Sequence, residues 1–129
     1  MVAESQYRVE HESTSQGLII RLIGEIGLNA INSLSDDIQR LYNLHTTVVI
    51  DFSRCSFIAS LGMGILISLQ KHIVDNGGSV RLCCLSDELH NALHLAGLLR
   101  YFPIFGNEHA ALAAGNVSHP AVTAQTDSK

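Results

Sequence analysis

The chain has 129 residues, 47% of them hydrophobic and 16% charged, which suits one globular domain with one core and excludes a disordered chain. A formal net charge of −4 with no Lys/Arg cluster gives no surface suited to phosphate backbones, so no direct nucleic-acid binding is expected. No apolar run approaches the about 20 residues of a bilayer span, and Met1 to Gln6 carries no basic-then-apolar export signal. The expected setting is cytoplasmic, without membrane insertion.

Tyr7 to His11 alternates weakly, Leu18 to Ile23 is strongly apolar, and Ser13 to Gly17 supplies a turn between them, which predicts a hairpin. Ile31, Leu34, Ile38 and Leu41 recur at helical spacing, so a first helix starts near Asn29 to Asn32, either asparagine able to cap it. Val48-Val49-Ile50 is a short β-branched run of the kind found in central strands covered on both faces. A second helix is expected from Ser60 to Asp75, stopped by Asn76-Gly77-Gly78, and a strand from Ser79 to Leu85. Ser86 stands as the cap of a third helix, with Asp87 and Glu88 in its positive first turn and Gly97 closing it. A short strand over Phe102 to Phe105 leads to a helix through Ala110 and Leu112. Strands alternating with helices after Val48 imply right-handed crossovers and parallel pairing. The fold class is therefore α/β: a mixed sheet of about five strands with helices packed mainly on one face. One domain spans residues 1–114, and residues 115–129, which lose apolar periodicity, form a flexible tail.

The three cysteines show neither metal-type spacing nor an even disulfide set. Cys83 and Cys84 adjoin within the fourth strand, where extended backbone points neighbours to opposite faces, so all three read as small core fillers in a reducing compartment. His90 and His94 sit four apart, but no third ligand stands at a telling spacing, and both are expected on the surface. Asn116-Val117-Ser118 matches a glycosylation triplet by chance. Gly62 and Gly64 lack the Lys-Ser/Thr of a phosphate-binding loop, and Ser60 lacks the setting of a hydrolase nucleophile. No metal, no cofactor and no enzymatic activity are expected.

Val48 to Gly64 reads Val-Val-Ile-Asp-Phe-Ser-Arg-Cys-Ser-Phe-Ile-Ala-Ser-Leu-Gly-Met-Gly. It resembles the signature of STAS domains: an apolar strand ending in Asp, a loop with an aromatic-aliphatic pair, a Ser/Thr, then Gly-x-Gly opening a helix. Gly24-Glu25-Ile26 is similar to the family's Gly-Glu-Leu turn, and Asn76-Gly77-Gly78, Leu95 to Leu98 and Phe102 to Phe105 are similar to its later landmarks. The resemblance covers about residues 7 to 114 and is to the anti-sigma-factor-antagonist type. It implies a regulatory module that switches between partners, binding a kinase-type anti-sigma factor or serine kinase. It also implies phosphorylation at Ser60, the serine just before the Gly-x-Gly run. Ala59 and Gly27 stand where the family has Asp, which weakens the implied phosphorylation more than the implied binding.

Without the family, Ser60 reads as a helix cap worth about 1 kcal/mol, at a helix end that also tolerates an anion. On the second helix, Gly62, Ile65, Leu66, Leu69 and Ile73 share one side at 100° per residue, the expected buried one. Ser60, Met63, Gly64, Ile67 and Lys71 fall on or near the other, the expected partner face, with Met63 and Ile67 as anchors. The rival readings are a constitutive scaffold that self-associates or sits in a signalling complex, and an accessory subunit of a lipid-handling membrane transporter.

Overall fold

The computed structural model describes residues 6–41 and 47–115. Five strands lie side by side in chain order: β1 (Arg8–Thr14), β2 (Gly17–Ile26), β3 (Thr47–Ile58), β4 (Ser79–Cys83) and β5 (Ile104–Phe105). β1 and β2 form the expected antiparallel hairpin, with Arg8 opposite Ile23 and Thr14 opposite Gly17. The remaining three pairings are parallel. Strands that advance one place at a time through right-handed crossovers put every connecting helix on the same face. Accordingly α1 (Ile31–Leu41), α2 (Ser60–Asp75) and α3 (Asp87–Leu95) all contribute to one core. α4 (Glu108–Ala113) follows β5 and folds back over the other face, where Ala111 packs with Ile19, Val49 and Cys83.

Strand alternation divides the side chains between the two faces. Leu18, Ile20 and Leu22 of β2, Val48, Ile50 and Phe52 of β3, and Val80 and Leu82 of β4 join the helix-side core. Ile19, Val49 and Cys83 point to α4 instead, and so do Arg21, Asp51 and Arg81 by the same alternation. Tyr7 extends the helix-side packing and donates its hydroxyl to Asp37 on α1 at 2.8 Å. The sheet margins are unlike its centre. β1 exposes Arg8, Glu10, His11 and Glu12, and β5 is two residues long, directly after Pro103.

Several boundaries match the sequence expectations and others do not. Ser86 caps α3, its Oγ accepting from the Leu89 N–H at 3.1 Å, and α2 stops where Gly77 takes φ 91°. The chain enters α1 through a 3-10 turn at Leu28–Ala30. Gly24 to Ile26 belong to β2 itself and are not a turn. β3, at 12 residues, runs well beyond its apolar Val48-Val49-Ile50: Ser53 to Ile58, expected as a loop, continue as strand against β2 through two register shifts. β4 ends at Cys83, because Cys84 adopts a left-handed φ of 64°. Arg81 is buried, and its guanidinium donates to the carbonyls of Ala111, Ala114 and Gly115 at 2.6, 2.7 and 2.9 Å. Gly115 is thus held, while residues 116–129, the rest of the expected tail, lie outside the described residues.

Candidate functional site

The site is built where β3 hands the chain to α2. The last residues of β3 run beyond β4 and pair with β2 alone, Phe57 with Glu25 and Ile58 with Ile26. The Ala59 N–H continues that pairing by donating to the Ile26 carbonyl at 2.8 Å. Ala59 then keeps an extended backbone, φ −71° and ψ 158°, while its carbonyl accepts from Gly62 N–H at 2.8 Å and Met63 N–H at 3.2 Å. These are the properties of an N-cap residue, but a methyl side chain has no oxygen to offer the free amides. The capping role expected of Ser60 is therefore corrected. Ser60 is the first residue inside the helix, exposed to solvent.

Gly62 fixes how closely α2 approaches the sheet. A Cβ there would lie 2.7 Å from Ile58 Cγ1 and 3.0 Å from its Cδ1, so a larger residue forces either the Ile58 side chain or the helix to shift. Gly64 is the opposite case, with nothing within 4 Å of a Cβ and an exposed position. Around these glycines the helix buries Gly62, Met63, Leu66, Leu69, Gln70 and Ile73. The outward placement expected for Met63 is thus corrected: it is 9% exposed and belongs to the core. Ile67 is half-buried and packs against the same core. Ile65, expected inside, is half-buried too; it packs against the core and lines a groove between α1 and α2 with Ile38, Leu61 and Gly64. The expected buried side holds at Gly62, Leu66, Leu69 and Ile73 and widens to Met63 and Gln70, because α2 is apolar on most sides and periodicity could not choose the edge of the stripe. Its docking on Ile58 through Gly62 chooses it.

The outer face of α2 therefore presents Ser60, Leu61, Gly64, Ser68 and Lys71, the last paired with Asp75 one turn on at 3.0 Å. Leu61 is 62% exposed in the first turn, beside Ser60. Two more large apolar side chains stand open at this end of the sheet: Phe57 at 51% and Leu28, just beyond β2, at 69%. Sequence reasoning did not single out these three. A usable signal was present in Phe57-Ile58, where alternation lets only one of two adjacent apolar residues enter the core. Gly27, on the same end, has nothing within 4 Å of a Cβ, so a side chain is sterically allowed there. His90 and His94 are exposed on α3, as expected.

A sheet in this order, helices mainly on one face, and an exposed serine opening the second helix define a STAS module. The family model "STAS domain" matches residues 7–111, and the chain belongs to that family. Among curated relatives, it is 29% identical over 109 residues to an "Anti-sigma F factor antagonist" of Paenibacillus polymyxa, covering 81% of this chain and 92% of that one. Among solved structures it resembles an anti-sigma factor antagonist from Mycobacterium paratuberculosis. That match has a TM-score of 0.76 and 22% identity, covering 87% of this chain and 96% of the other. It also resembles the Bacillus cell fate determinant SpoIIAA in its phosphorylated form, with a TM-score of 0.59 and 24% identity over 81% of this chain and 96% of that chain. These two likenesses are of fold.

Proposed function

We propose that this protein is an anti-sigma-factor antagonist, a cytoplasmic binding module and not an enzyme, that switches partners with a kinase-type anti-sigma factor. The module spans residues 1–114, followed by a tail over 115–129. The observation that carries this reading is the company Ser60 keeps. It stands exposed on the first turn of α2, at the end of the sheet where Leu28, Phe57 and Leu61 are also exposed. Large apolar side chains gathered at one end of a fold mark a surface that another protein covers. The partner face consists of Ser60, Leu61, Gly64 and Lys71, with Ile67 contributing its open edge, and Met63 supporting it from within.

Phosphorylation of Ser60 would place roughly two negative charges at the amino end of α2, where free amides and the helix dipole tolerate them. The fold stays intact, whereas a partner seated on Leu61 and Phe57 would have to desolvate the phosphate. Binding and release are thereby separated from folding. A constitutive scaffold is the second reading, favoured by Ala59 and Gly27, which leave the site without the carboxylates a kinase would read.

Affinity capture from the native cell with wild type, Ser60→Ala and Ser60→Asp, followed by mass spectrometry, tests the switch. A kinase-type anti-sigma factor enriched by the first two and lost with Ser60→Asp supports it, as does a phosphopeptide carrying Ser60. Equal recovery by all three proteins, with no phosphate on Ser60, leaves the scaffold.

A further inference from the structure

The face of the sheet under α4 gathers a different chemistry, remote from the α2 surface. Arg21, Asp51 and Cys83 are register neighbours across β2, β3 and β4. Cys84 follows Cys83, and in an extended strand its thiol would enter the core on the far side. It does not. Cys84 is the one non-glycine residue at positive φ among the described residues, and its Sγ lies 3.5 Å from that of Cys83. Asp51, Cys83 and Cys84 each present a ligand atom, all within 4.8 Å of one another. The Asp51 carboxylate is oriented by the Ser53 N–H, which donates to its Oδ1 at 2.7 Å.

We propose that Cys83, Cys84 and Asp51 form a binding site for a thiophilic divalent cation of the zinc type. Ligands at about 2.3 Å from a tetrahedral zinc lie about 3.7 Å from one another, close to the separation of the two thiols. Two sulfur donors exclude the hard cations magnesium and calcium, which take oxygen. Glu108, on α4, is held by the Arg21 guanidinium at 2.7 and 2.9 Å. A dication would relieve the crowding of two carboxyls and two thiols, and Arg21 balances part of the remaining negative charge. Thiols bind such an ion as thiolates, so two thiol protons pass to solvent as it binds. Cys83 and Asp51 are buried and Cys84 is half-exposed, which gives the ion a way in. A small-residue packing role explains Cys55, buried and donating to the Phe57 carbonyl, but leaves the left-handed backbone of Cys84 unaccounted for. Backbone of that kind collects at ligand sites.

The test is titration of the reduced, chelator-treated full chain with Cd²⁺, following the ultraviolet thiolate-to-cadmium band, then displacement by Zn²⁺. The expected result is saturation at one equivalent, with Cys84→Ser and Asp51→Asn each binding at least about ten-fold more weakly. Cys55→Ser and the double variant His90→Ala with His94→Ala should bind as wild type does. Melting curves identify any variant that fails to fold. Zn²⁺ protection of Cys83 and Cys84 from alkylation in the wild-type chain supplies a readout that needs no substitution. No thiolate band at equimolar Cd²⁺, undiminished binding by folded Cys84→Ser, or alkylation at the same rate with and without Zn²⁺ overturns the proposal.

Discussion

The two faces of the sheet are covered on different physical terms. On one, three helices of 9 to 16 residues bury Ile20, Leu22, Ile50, Leu66, Ile73 and Leu82 completely, and attachment is by apolar area. On the other, α4 has six residues, and the buried apolar set is Ile19, Val49, Cys83 and Ala111. So short a helix is not stable by propensity, and so little area does not fix its position. Directional bonds do. Asn107 caps α4 through the Ala110 N–H at 2.8 Å, Glu108 receives Arg21, and Arg81 reaches the carbonyls at its far end. Apolar burial sets how much stability a face contributes, and polar geometry sets where a small element sits.

Substitutions on each face can break that contrast. Leu66→Ala, in the helix-side core, should cost about 2–5 kcal/mol in denaturant unfolding. A loss below about 1 kcal/mol would mean that this face does not carry the fold. Arg81→Met keeps the aliphatic stem but leaves three carbonyls without their donor, at a cost of about 1–3 kcal/mol. Hydrogen exchange should then accelerate in α4 while β3 and β4 stay protected; uniform acceleration would show that the two faces unfold as one.

Ala59→Asp sharpens the contrast from the other side, since α2 begins uncapped where α3 and α4 are capped. The new carboxylate should raise stability by about 1 kcal/mol, read as a higher melting temperature. No gain would place the helix start elsewhere. The smallest effect is one of acidity. Burial pushes the Asp51 carboxyl up, but hydrogen bonding with its neighbours, the Ser53 N–H at 2.7 Å among them, outweighs it and holds it below the usual carboxylate range. With a folded pKa below the unfolded one near roughly 3.9, its contribution is complete above that pH and lost as pH falls through the folded value. Asp51→Asn should flatten the acid limb of the stability curve below about pH 4; an unchanged limb would assign it to other carboxylates.

The parts legible in the sequence are those fixed by local chemistry. α2 was bounded correctly because Asn76-Gly77-Gly78 cannot continue a helix, and α3 because Ser86 is a good cap. The mixed sheet with helices mainly on one face followed from strand-helix alternation and crossover handedness. What escaped was set by tertiary context. Ser53 to Ile58 break alternation at the register shifts, so half of β3 passed for a loop. Met63 was placed outward because α2 is apolar nearly all round. Arg81 gave no sign that a charged residue would be buried, since its partners are carbonyls 30 and more residues away. The left-handed turn at Cys84 had no glycine or asparagine to announce it.

The margins of the sheet carry a consequence for how this protein meets others. A strand edge invites another chain to extend the ladder, yet β1 offers that visitor a row of Arg8, Glu10, His11 and Glu12, and β5 gives it two residues after a proline. Strand addition, a backbone-to-backbone way of joining two chains, is disfavoured at both described margins. Crowded copies are kept from polymerising by the same means, and recognition is left to side chains at the sheet's end and on its helices, which a single modification can rewrite.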